Sequence, residues 1–482
     1  MTSSTYTYLQ PPIAKETNRI RRGLALLLVW LSIGPVATMM IRMVDPRTKV
    51  FESEVEGRID KSLGSRDGYL SGKSSATVTQ LLEPTRTVIA FFLISFILHG
   101  IIRKKFGPFD RTELWMGAFS LIVLASALFK SHVLGFSLRM AVDAFVIPFL
   151  AYSIARRLIT NEDRYRRLIR SIVYAGLSVI VISLIERLTQ DGLFYRLSGP
   201  FRSSNALYTV LAVVFFVLLS ERLQKFATRS GKNALFPIAQ RLALYLAPVV
   251  ILLTWSRGAW VGFLIGMGVF LVMGWRLLTR AQSFALIGVS LALIGLVALG
   301  IHDLAESVER RVANTSTIYG RIATWSVAIQ SGLREPVFGI GLNNLREVLV
   351  TNSAHIKGVG NFPRVHNSFL AILAEQGIVG LIMYLAIIAS IVRLGLRIAQ
   401  TSLNSGDRWR GITVIAVMAT YLLPAMFAST IHEPLPFSPV LVYAFWGSIA
   451  GRYECLRAKN IIRRHVKFEI GDQRAYRNIT AR

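Results

Sequence analysis

Residues 366–392 read HNSFLAILAEQGIVGLIMYLAIIASIV, and this stretch decides the class of fold. After its polar start, the run Phe369–Val392 is apolar for more than the roughly 20 residues that cross a bilayer as a helix. Similar runs recur along the chain, which is 53% hydrophobic and 17% charged. A soluble fold of 482 residues could not bury so much apolar surface. We therefore expect an all-α polytopic membrane protein.

The apolar runs predict about twelve transmembrane helices within a single integral membrane domain that covers residues 1–482. They lie near Gly23–Met43, Thr87–Ile102, Leu114–Phe129, Leu134–Ala155, Ser171–Ile185, Ala206–Leu219, Leu242–Trp255, Ala259–Trp275, Phe284–Ile301, Phe369–Val392, Ile412–Phe427 and Val440–Ala450. The first run follows the basic start KETNRIRR and is too long for the core of a signal peptide. We interpret it as an uncleaved anchor.

The distribution of Lys and Arg predicts the orientation, because loops rich in these residues stay in the cytoplasm. It places both termini in the cytoplasm. Residues 44–86 and 302–365 then form two outer loops, and residues 452–482 form a basic cytoplasmic tail. Short cytoplasmic loops beside anionic membrane lipids account for the net charge of +28, so we expect no nucleic-acid partner.

Two arginines and a histidine fall at predicted membrane boundaries. Arg257 lies in the tight turn TWSRGAW, and a guanidinium there can donate two hydrogen bonds to a phosphate. Arg321 lies in the loop 302–365, and His366 lies at the entrance of the tenth span, where it could accept a proton at neutral pH. The alternatives are an arginine that contacts headgroups, a solvated loop charge and a histidine that caps a helix.

Other polar residues have structural interpretations. Arg139 and Asp143 are four residues apart on one face of the fourth span, which favours an ion pair. Glu375 lies about 13 Å along the tenth helix, on the side opposite to His366, and we expect it to serve packing or hydrogen bonding. The chain has one cysteine and no HExxH, Asp-x-Asp or P-loop motif, so we expect neither a metal nor a nucleotide cofactor.

Several motifs together resemble the O-antigen ligase family, whose domain is shared with polysaccharide polymerases. They are the WSRGAW turn, the Gly-Arg and Trp of residues 320–325 followed by P..G.G at 336–341, and the helix HNSFLAILAEQGIVGL. The resemblance covers about residues 252–385 and has an echo in LSGPFRSSNALY at 197–208. The segment 44–86 and the basic tail have no counterpart in the family's pattern.

The resemblance implies an inverting, metal-independent glycosyltransferase of the bacterial inner membrane, without a cofactor, and makes the outer loops 44–86 and 302–365 periplasmic. Such an enzyme takes a glycan from undecaprenyl diphosphate on the periplasmic side and passes it to a hydroxyl of lipid A-core or of another lipid-linked glycan. Carried onto this sequence, Arg257 and Arg321 would hold the departing diphosphate, and His366 would orient or deprotonate the acceptor. Three further motif residues would bind substrate: Arg202, Trp325 and Asn367.

Three functions remain open at this point. The first is ligation of O-antigen to lipid A-core, and the second is polymerisation of O-antigen or exopolysaccharide repeat units. The motifs do not separate these two, and we favour the ligase. The third is a polysaccharide flippase, which would have a similar number of spans. Two features argue against the flippase. The halves of the chain lack repeat symmetry, and the long outer loop carries an Arg and a His.

Overall fold

A computed structural model describes most of the membrane domain. The described residues are 108–189, 196–201, 203–224, 235–312, 316–353, 365–402, 404–427 and 438–458, together with Ala25 and Leu28. Within these ranges the regular structure is helical and contains no strand, as the hydropathy pattern predicts. The all-α polytopic class is thereby confirmed.

Thirteen helices can be labelled within the described ranges. They are α1 (Arg111–Phe129), α2 (Leu134–Ala141), α3 (Ile147–Leu158), α4 (Glu162–Thr189), α5 (Ser204–Leu223), α6 (Leu235–Leu253), α7 (Arg257–Gly274), α8 (Arg280–Val312), α9 (Ser316–Arg334), α10 (Asn344–Ser353), α11 (Ser368–Thr401), α12 (Ser405–Phe427) and α13 (438–458). A short π-helix, Val142–Val146, joins α2 to α3, and a 3₁₀ turn, Trp275–Leu277, follows α7.

Eight candidate membrane spans meet the length and hydropathy of a membrane crossing, with α2 and α3 counted as one. They coincide with eight of the predicted spans. The predicted spans Gly23–Met43 and Thr87–Ile102 lie outside the described residues, except for Ala25 and Leu28. The predicted spans Phe284–Ile301 and Val440–Ala450 lie in α8 and α13, which are not among the eight. The total of about twelve therefore stays a prediction.

The bundle is organised around α5, whose membrane window is buried on nearly all sides. α5 contacts α4, α6, α7 and α12, and α12 also packs against α7 and α11. The contact between α11 and α12 is close at Gly395 and Gly411. A Cβ on Gly411 would lie 2.6 Å from the backbone nitrogen of Ala399. Small residues thus allow two membrane helices to approach at backbone distance.

Ion pairs join the helices at one end of the bundle. The buried Arg410 guanidinium of α12 contacts Asp407 at 2.8 Å and Glu162 of α4 at 3.1 Å. Arg156 of α3 pairs with Glu113 of α1 and, at 2.8 Å, with Glu454 of α13. This end contains the starts of α1, α4 and α12, and the positive-inside pattern predicts that it is cytoplasmic.

The predicted ion pair between Arg139 and Asp143 is confirmed, with 3.8 Å between Nε and Oδ2. Asp143 is buried and Arg139 is partly exposed. The pair spans the junction of α2 with the π-helix, where the helical register shifts by one residue. Mutual neutralisation lowers the cost of placing both charges inside the bundle.

A second, smaller apolar cluster fixes the segment between α8 and α11. It contains Ala328 of α9, Leu345 and Leu349 of α10, and Ala371 and Ala374 of α11. α9 therefore lies against the first half of α11. The predicted outer loop 302–365 is largely helical within the described residues, and α8 extends past the predicted end of its span to Val312.

Candidate active site at the α6–α7 turn

The WSRGAW motif forms the tight turn that the sequence predicts between two apolar helices. Trp255 has a positive φ of 48°, which reverses the chain after α6. Trp260, in the first turn of α7, donates its indole N–H to the backbone oxygens of Leu252 (3.1 Å) and Ile251 (3.3 Å). These bonds satisfy carbonyl groups at the end of α6. Arg257 is the first residue of α7 and is exposed.

Ser256 is the N-cap of α7, but its side chain makes no capping bond to that helix. Its hydroxyl instead donates to Oδ1 of Asn205 on α5, at 3.2 Å. The first backbone N–H groups of α7 therefore lack a side-chain acceptor from their own cap. A helix start of this kind attracts anions, because its N–H groups and the helix dipole both favour negative charge.

A third arginine, Arg196, lies in the short segment before α5. Its Nε donates to the Ser204 hydroxyl at 2.8 Å, and its Nη2 approaches the Ser256 hydroxyl at 3.4 Å. Burial and the positive charge of Arg321 together lower the pKa of Arg196. Arg196 thus connects the α6–α7 turn, which carries Arg257, to Arg321 on α9. Sequence reasoning selected its neighbour Arg202 and missed Arg196.

Glu186 of α4 orders the segment that carries Arg196. Its carboxylate accepts from the backbone N–H of Gly199 at 2.5 Å and of Ser198 at 3.3 Å, and from the Ser198 hydroxyl at 3.2 Å. Gly199 has a φ of 58°, which a side chain would disfavour. The LSGP sequence is therefore a structured turn, which explains its presence in the motif. Arg202, a predicted substrate-binding residue in the same motif, lies outside the described residues.

Arg321 and the His366 turn are connected through α9. Trp325 follows Arg321 by four residues, so both side chains lie on one face of the helix. The Trp325 indole donates to the backbone oxygen of Val365 at 2.9 Å. Val365 precedes His366, which is half-buried and has a φ of 50°. His366, the predicted base, therefore directly follows a residue that is bonded to α9, the helix that carries Arg321.

Asn367 is the N-cap of α11. Its Oδ1 accepts from the backbone N–H groups of Phe369 and Leu370, at 3.0 and 3.1 Å. Because this cap fixes the start of α11, it also fixes the turn that presents His366. The predicted roles of Asn367 and Trp325 in substrate binding stay predictions, and each residue has a structural contact besides.

α11 is interrupted at Gly377, whose φ of 68° and ψ of −167° are not helical. The segment that follows α9 fills the interruption. The backbone N–H groups of Ile340 and Gly341 donate to the carbonyls of Ala374 (2.9 Å) and Glu375 (3.1 Å). In the other direction, the N–H of Ile378 donates to Pro336 at 2.8 Å. The P..G.G and EQG motifs are thus the two sides of one backbone contact.

This geometry corrects the predicted position of Glu375. The prediction that Glu375 lies opposite to His366 requires residues 366–375 to form one continuous helix. α11 begins at Ser368, and His366 lies outside it with a left-handed backbone conformation, so the rotation cannot be counted from His366. Glu375 is buried next to the interruption, and its backbone oxygen accepts from Gly341.

The three arginines bring positive charge to the region of the α6–α7 turn. Arg196 and Arg321 are close enough for their charges to interact, and Arg196 contacts the residue before Arg257. Among the described residues, none of the three guanidiniums forms an ion pair with a carboxylate. Like charges repel, so such a cluster is more stable with an anion bound between them. The arrangement suits a diphosphate, which has several oxygen acceptors for guanidinium groups.

Comparisons with known proteins show what the chain is similar to. A family model described as O-Antigen ligase matches residues 242–385. That range includes Arg257, Arg321, Trp325, His366 and Asn367, whereas Arg196 and Arg202 precede it.

Relatives with related names extend the similarity beyond that range. A Rickettsia conorii protein named "Putative polysaccharide ligase" is 26% identical over 318 residues, which cover 61% of this chain and 71% of the relative. A Rickettsia felis protein of the same name is 26% identical over 295 residues, or 58% of this chain and 66% of the relative. A Haemophilus influenzae protein without a described function is 27% identical over 180 residues, or 34% of this chain and 44% of the relative. The resemblance of this multi-pass membrane protein to the O-antigen ligase family is thereby confirmed, and the family model matches it over residues 242–385.

Proposed function

We propose that this protein transfers a glycan from undecaprenyl diphosphate to an acceptor hydroxyl, and that the reaction joins O-antigen to lipid A-core. The observation that carries the proposal is the position of Arg196. Its Nη2 approaches Ser256 at the uncapped start of α7, next to Arg257, and its charge interacts with that of Arg321. A lipid-linked diphosphate supplies both the anion for these groups and the hydrocarbon chain for a site at a membrane boundary.

The cations act on the leaving group. When the bond between the anomeric carbon and the diphosphate oxygen breaks, the electron pair stays on the diphosphate and its negative charge increases. Fixed guanidiniums and helix N–H groups stabilise that charge without moving during the reaction. They can therefore take the part that a metal ion plays in other glycosyl transfers. Each arginine offers a planar pair of donors, which suits phosphate oxygens.

His366 acts on the acceptor. A neutral imidazole accepts the proton of the attacking hydroxyl while that oxygen forms its bond to the anomeric carbon. Attack from the side opposite to the diphosphate inverts the configuration at that carbon. The residue before His366, Val365, accepts a hydrogen bond from Trp325 on α9, the helix that also carries Arg321. Trp325, Asn367 and Arg202 would contact the sugar or the diphosphate around these groups.

The proposal includes the orientation of the protein. The Lys and Arg pattern supports a periplasmic site and cytoplasmic termini in the inner membrane. The two Rickettsia relatives named as polysaccharide ligases support ligation over polymerisation, although a polymerase would use the same donor. The acceptor then decides between the two: lipid A-core for a ligase and a lipid-linked glycan for a polymerase.

A deletion strain distinguishes these functions. Lipopolysaccharide from the strain is separated on a gel, and the lipid-linked polymer is measured in the same cells. A ligase predicts loss of all O-antigen bands while polymer accumulates on its lipid carrier. A core that bears one repeat unit indicates a polymerase instead. An unchanged gel with loss of capsule or exopolysaccharide moves the protein to that pathway, and loss of lipid-linked glycan from the periplasmic face indicates a flippase.

A further inference from the structure

A cavity of about 790 Å³ lies at the end of the bundle opposite to the candidate active site. The end of α7 and its 3₁₀ turn form one wall, and the end of α11 and the start of α12 form the other. Arg257 opens the span that closes at Leu277, and this span has 21 residues. A helix of that length rises by about 30 Å, the thickness of a bilayer's hydrocarbon core. The cavity therefore lies at the other membrane boundary.

Two arginines line the cavity, one from each wall. Arg276 belongs to the 3₁₀ turn after α7 and is exposed. Arg408 lies in the first turn of α12, and its Nε donates to the backbone oxygen of Ser402 at 2.7 Å. That bond holds the Arg408 guanidinium at the boundary rather than in bulk water. Two guanidiniums in one cavity can share a phosphate group.

Apart from Gln400, the rest of the lining is apolar and continues into the surface that faces lipid. Leu271, Val272 and Ile412 line the cavity, and Val272 is 78% exposed on the span. Trp275 is 55% exposed at the same level, the position where tryptophan side chains meet the headgroup region. A ligand here meets cations at the boundary and hydrocarbon towards the membrane centre.

We propose that this cavity binds an anionic phospholipid, with the phosphate between Arg276 and Arg408 and the acyl chains along Leu271 and Val272. Because the lining carries two positive charges, an anionic ligand fits the cavity better than a neutral one. Because its flank is apolar, a lipid fits better than a free phosphate or a nucleotide. Basic pockets between membrane helices bind such headgroups in other proteins. The proposal is independent of the glycosyl transfer, because the cavity shares no residue with the arginine site.

Native mass spectrometry of the full chain in detergent tests the proposal. The protein is mixed with phosphatidylglycerol or with phosphatidylethanolamine, and the retained lipids are counted. We expect preferential retention of phosphatidylglycerol. The double substitution Arg276→Ala and Arg408→Ala should reduce that retention by about thirtyfold, from roughly 1 kcal/mol for each arginine near the membrane surface. Because Arg408→Ala also removes the bond to Ser402, Arg276→Ala alone provides a second variant, with a loss of about fivefold.

A matched control removes the same charge at the same end of the bundle. Arg393 and Arg397 are exposed on the last turns of α11 and do not line the cavity. The double substitution Arg393→Ala and Arg397→Ala should leave the retention of phosphatidylglycerol within about twofold of the wild type. Equal losses in both double variants would overturn the proposal, since they would indicate attraction by general surface charge.

A photoreactive residue at Val272 identifies the occupant in membranes. Cross-links to phospholipid agree with the proposal. Cross-links to another segment of the same chain or to a second copy would overturn it, because the cavity would then be filled by protein. Equal retention of the two lipids by the wild type would overturn it as well, because the arginines would contribute no selectivity.

Discussion

Replacing Arg196 with alanine tests whether the positive cluster is an anion site or an incidental group of loop charges. The substitution removes two hydrogen bonds to serine hydroxyls and one like-charge contact with Arg321. The two bonds stabilise the fold by about 0.5–1.5 kcal/mol each, and relief of the repulsion returns on the order of 1 kcal/mol near solvent. The free energy of unfolding should therefore change by about 1–2 kcal/mol at most.

The effect on transfer should be larger. A charge-assisted hydrogen bond to the diphosphate contributes about 1.5–3 kcal/mol, and this contribution grows as the leaving group gains charge. We therefore expect kcat/KM of Arg196→Ala to fall by about ten- to a hundredfold. Arg196→Lys keeps the charge but cannot reproduce the bonds of Nε and Nη2 together, so its kcat/KM should lie between those of the wild type and of Arg196→Ala.

Initial rates in proteoliposomes with a defined lipid-linked donor measure this effect. Arg334→Ala is the matched control. Arg334 is exposed at the end of α9, 13 residues after Arg321 and about 20 Å from it along the helix. We expect that control to keep the kcat/KM of the wild type. A thermal unfolding curve of each variant shows whether the protein remains folded.

Two results would refute the reasoning. Wild-type kcat/KM for a folded Arg196→Ala protein would remove Arg196 from the diphosphate site. An equal loss for Arg196→Ala and Arg334→Ala would show that the transfer responds to overall positive charge and not to this cluster.

Three further predictions concern the site and its support. Arg257→Ala or Arg321→Ala should remove most transfer, with partial rescue by Lys, and near-wild-type rates for a folded Arg321→Ala protein would make Arg321 a loop residue. His366→Ala should lower transfer by about two to four decades while donor binding survives, because the attacking hydroxyl loses its proton acceptor; robust turnover by both His366→Ala and His366→Gln would exclude the histidine. Gly377→Ala should lower the free energy of unfolding by about 3 kcal/mol, and with it the yield of folded protein, because the φ and ψ of Gly377 suit glycine alone. Gly268→Ala is the control and should fold normally, because a Cβ there meets no atom within 4 Å. Equal yields of the two variants would contradict the strained geometry.

The hydropathy pattern predicted the membrane helices well, because a span must be long and apolar regardless of its neighbours. It predicted the end of a helix less well where the helix continues beyond the membrane. α8 runs on through the polar sequence HDLAESVERR to Val312, whereas the predicted span ends at Ile301. Hydropathy detects the apolar part of a helix, and the polar extension has helical residues but no apolar signal.

The interruption of α11 could not be predicted from its own sequence. A glycine within an apolar run is common in membrane helices, so Gly377 gave no warning by itself. The break is stable because Pro336 and Ile340, about 40 residues earlier, form the backbone hydrogen bonds that the helix loses. Two short motifs recognised separately in the sequence therefore form one contact in space.

Arg196 was missed for a related reason. In the sequence it is one of 55 Lys and Arg residues, and it stands near a loop boundary like many of them. Its relation to Arg321 crosses 125 positions and depends on how α5, α7 and α9 meet. The one available signal was its place just before LSGPFRSSN, a motif that pointed to Arg202 instead.

The buried ion pairs at one end of the bundle contrast with the arginine cluster at the other. At one end, Arg410 and Arg156 are buried against carboxylates from other helices, so their charges are neutralised within the protein. Such pairs hold helix ends together, and removal of one partner leaves a buried charge unpaired. At the other end, among the described residues, the positive charges of Arg196 and Arg321 interact, and neither guanidinium forms an ion pair with a carboxylate. A fold that pairs Arg410 and Arg156 within the protein but leaves the charges of Arg196 and Arg321 unneutralised has a place for an anion from outside the chain.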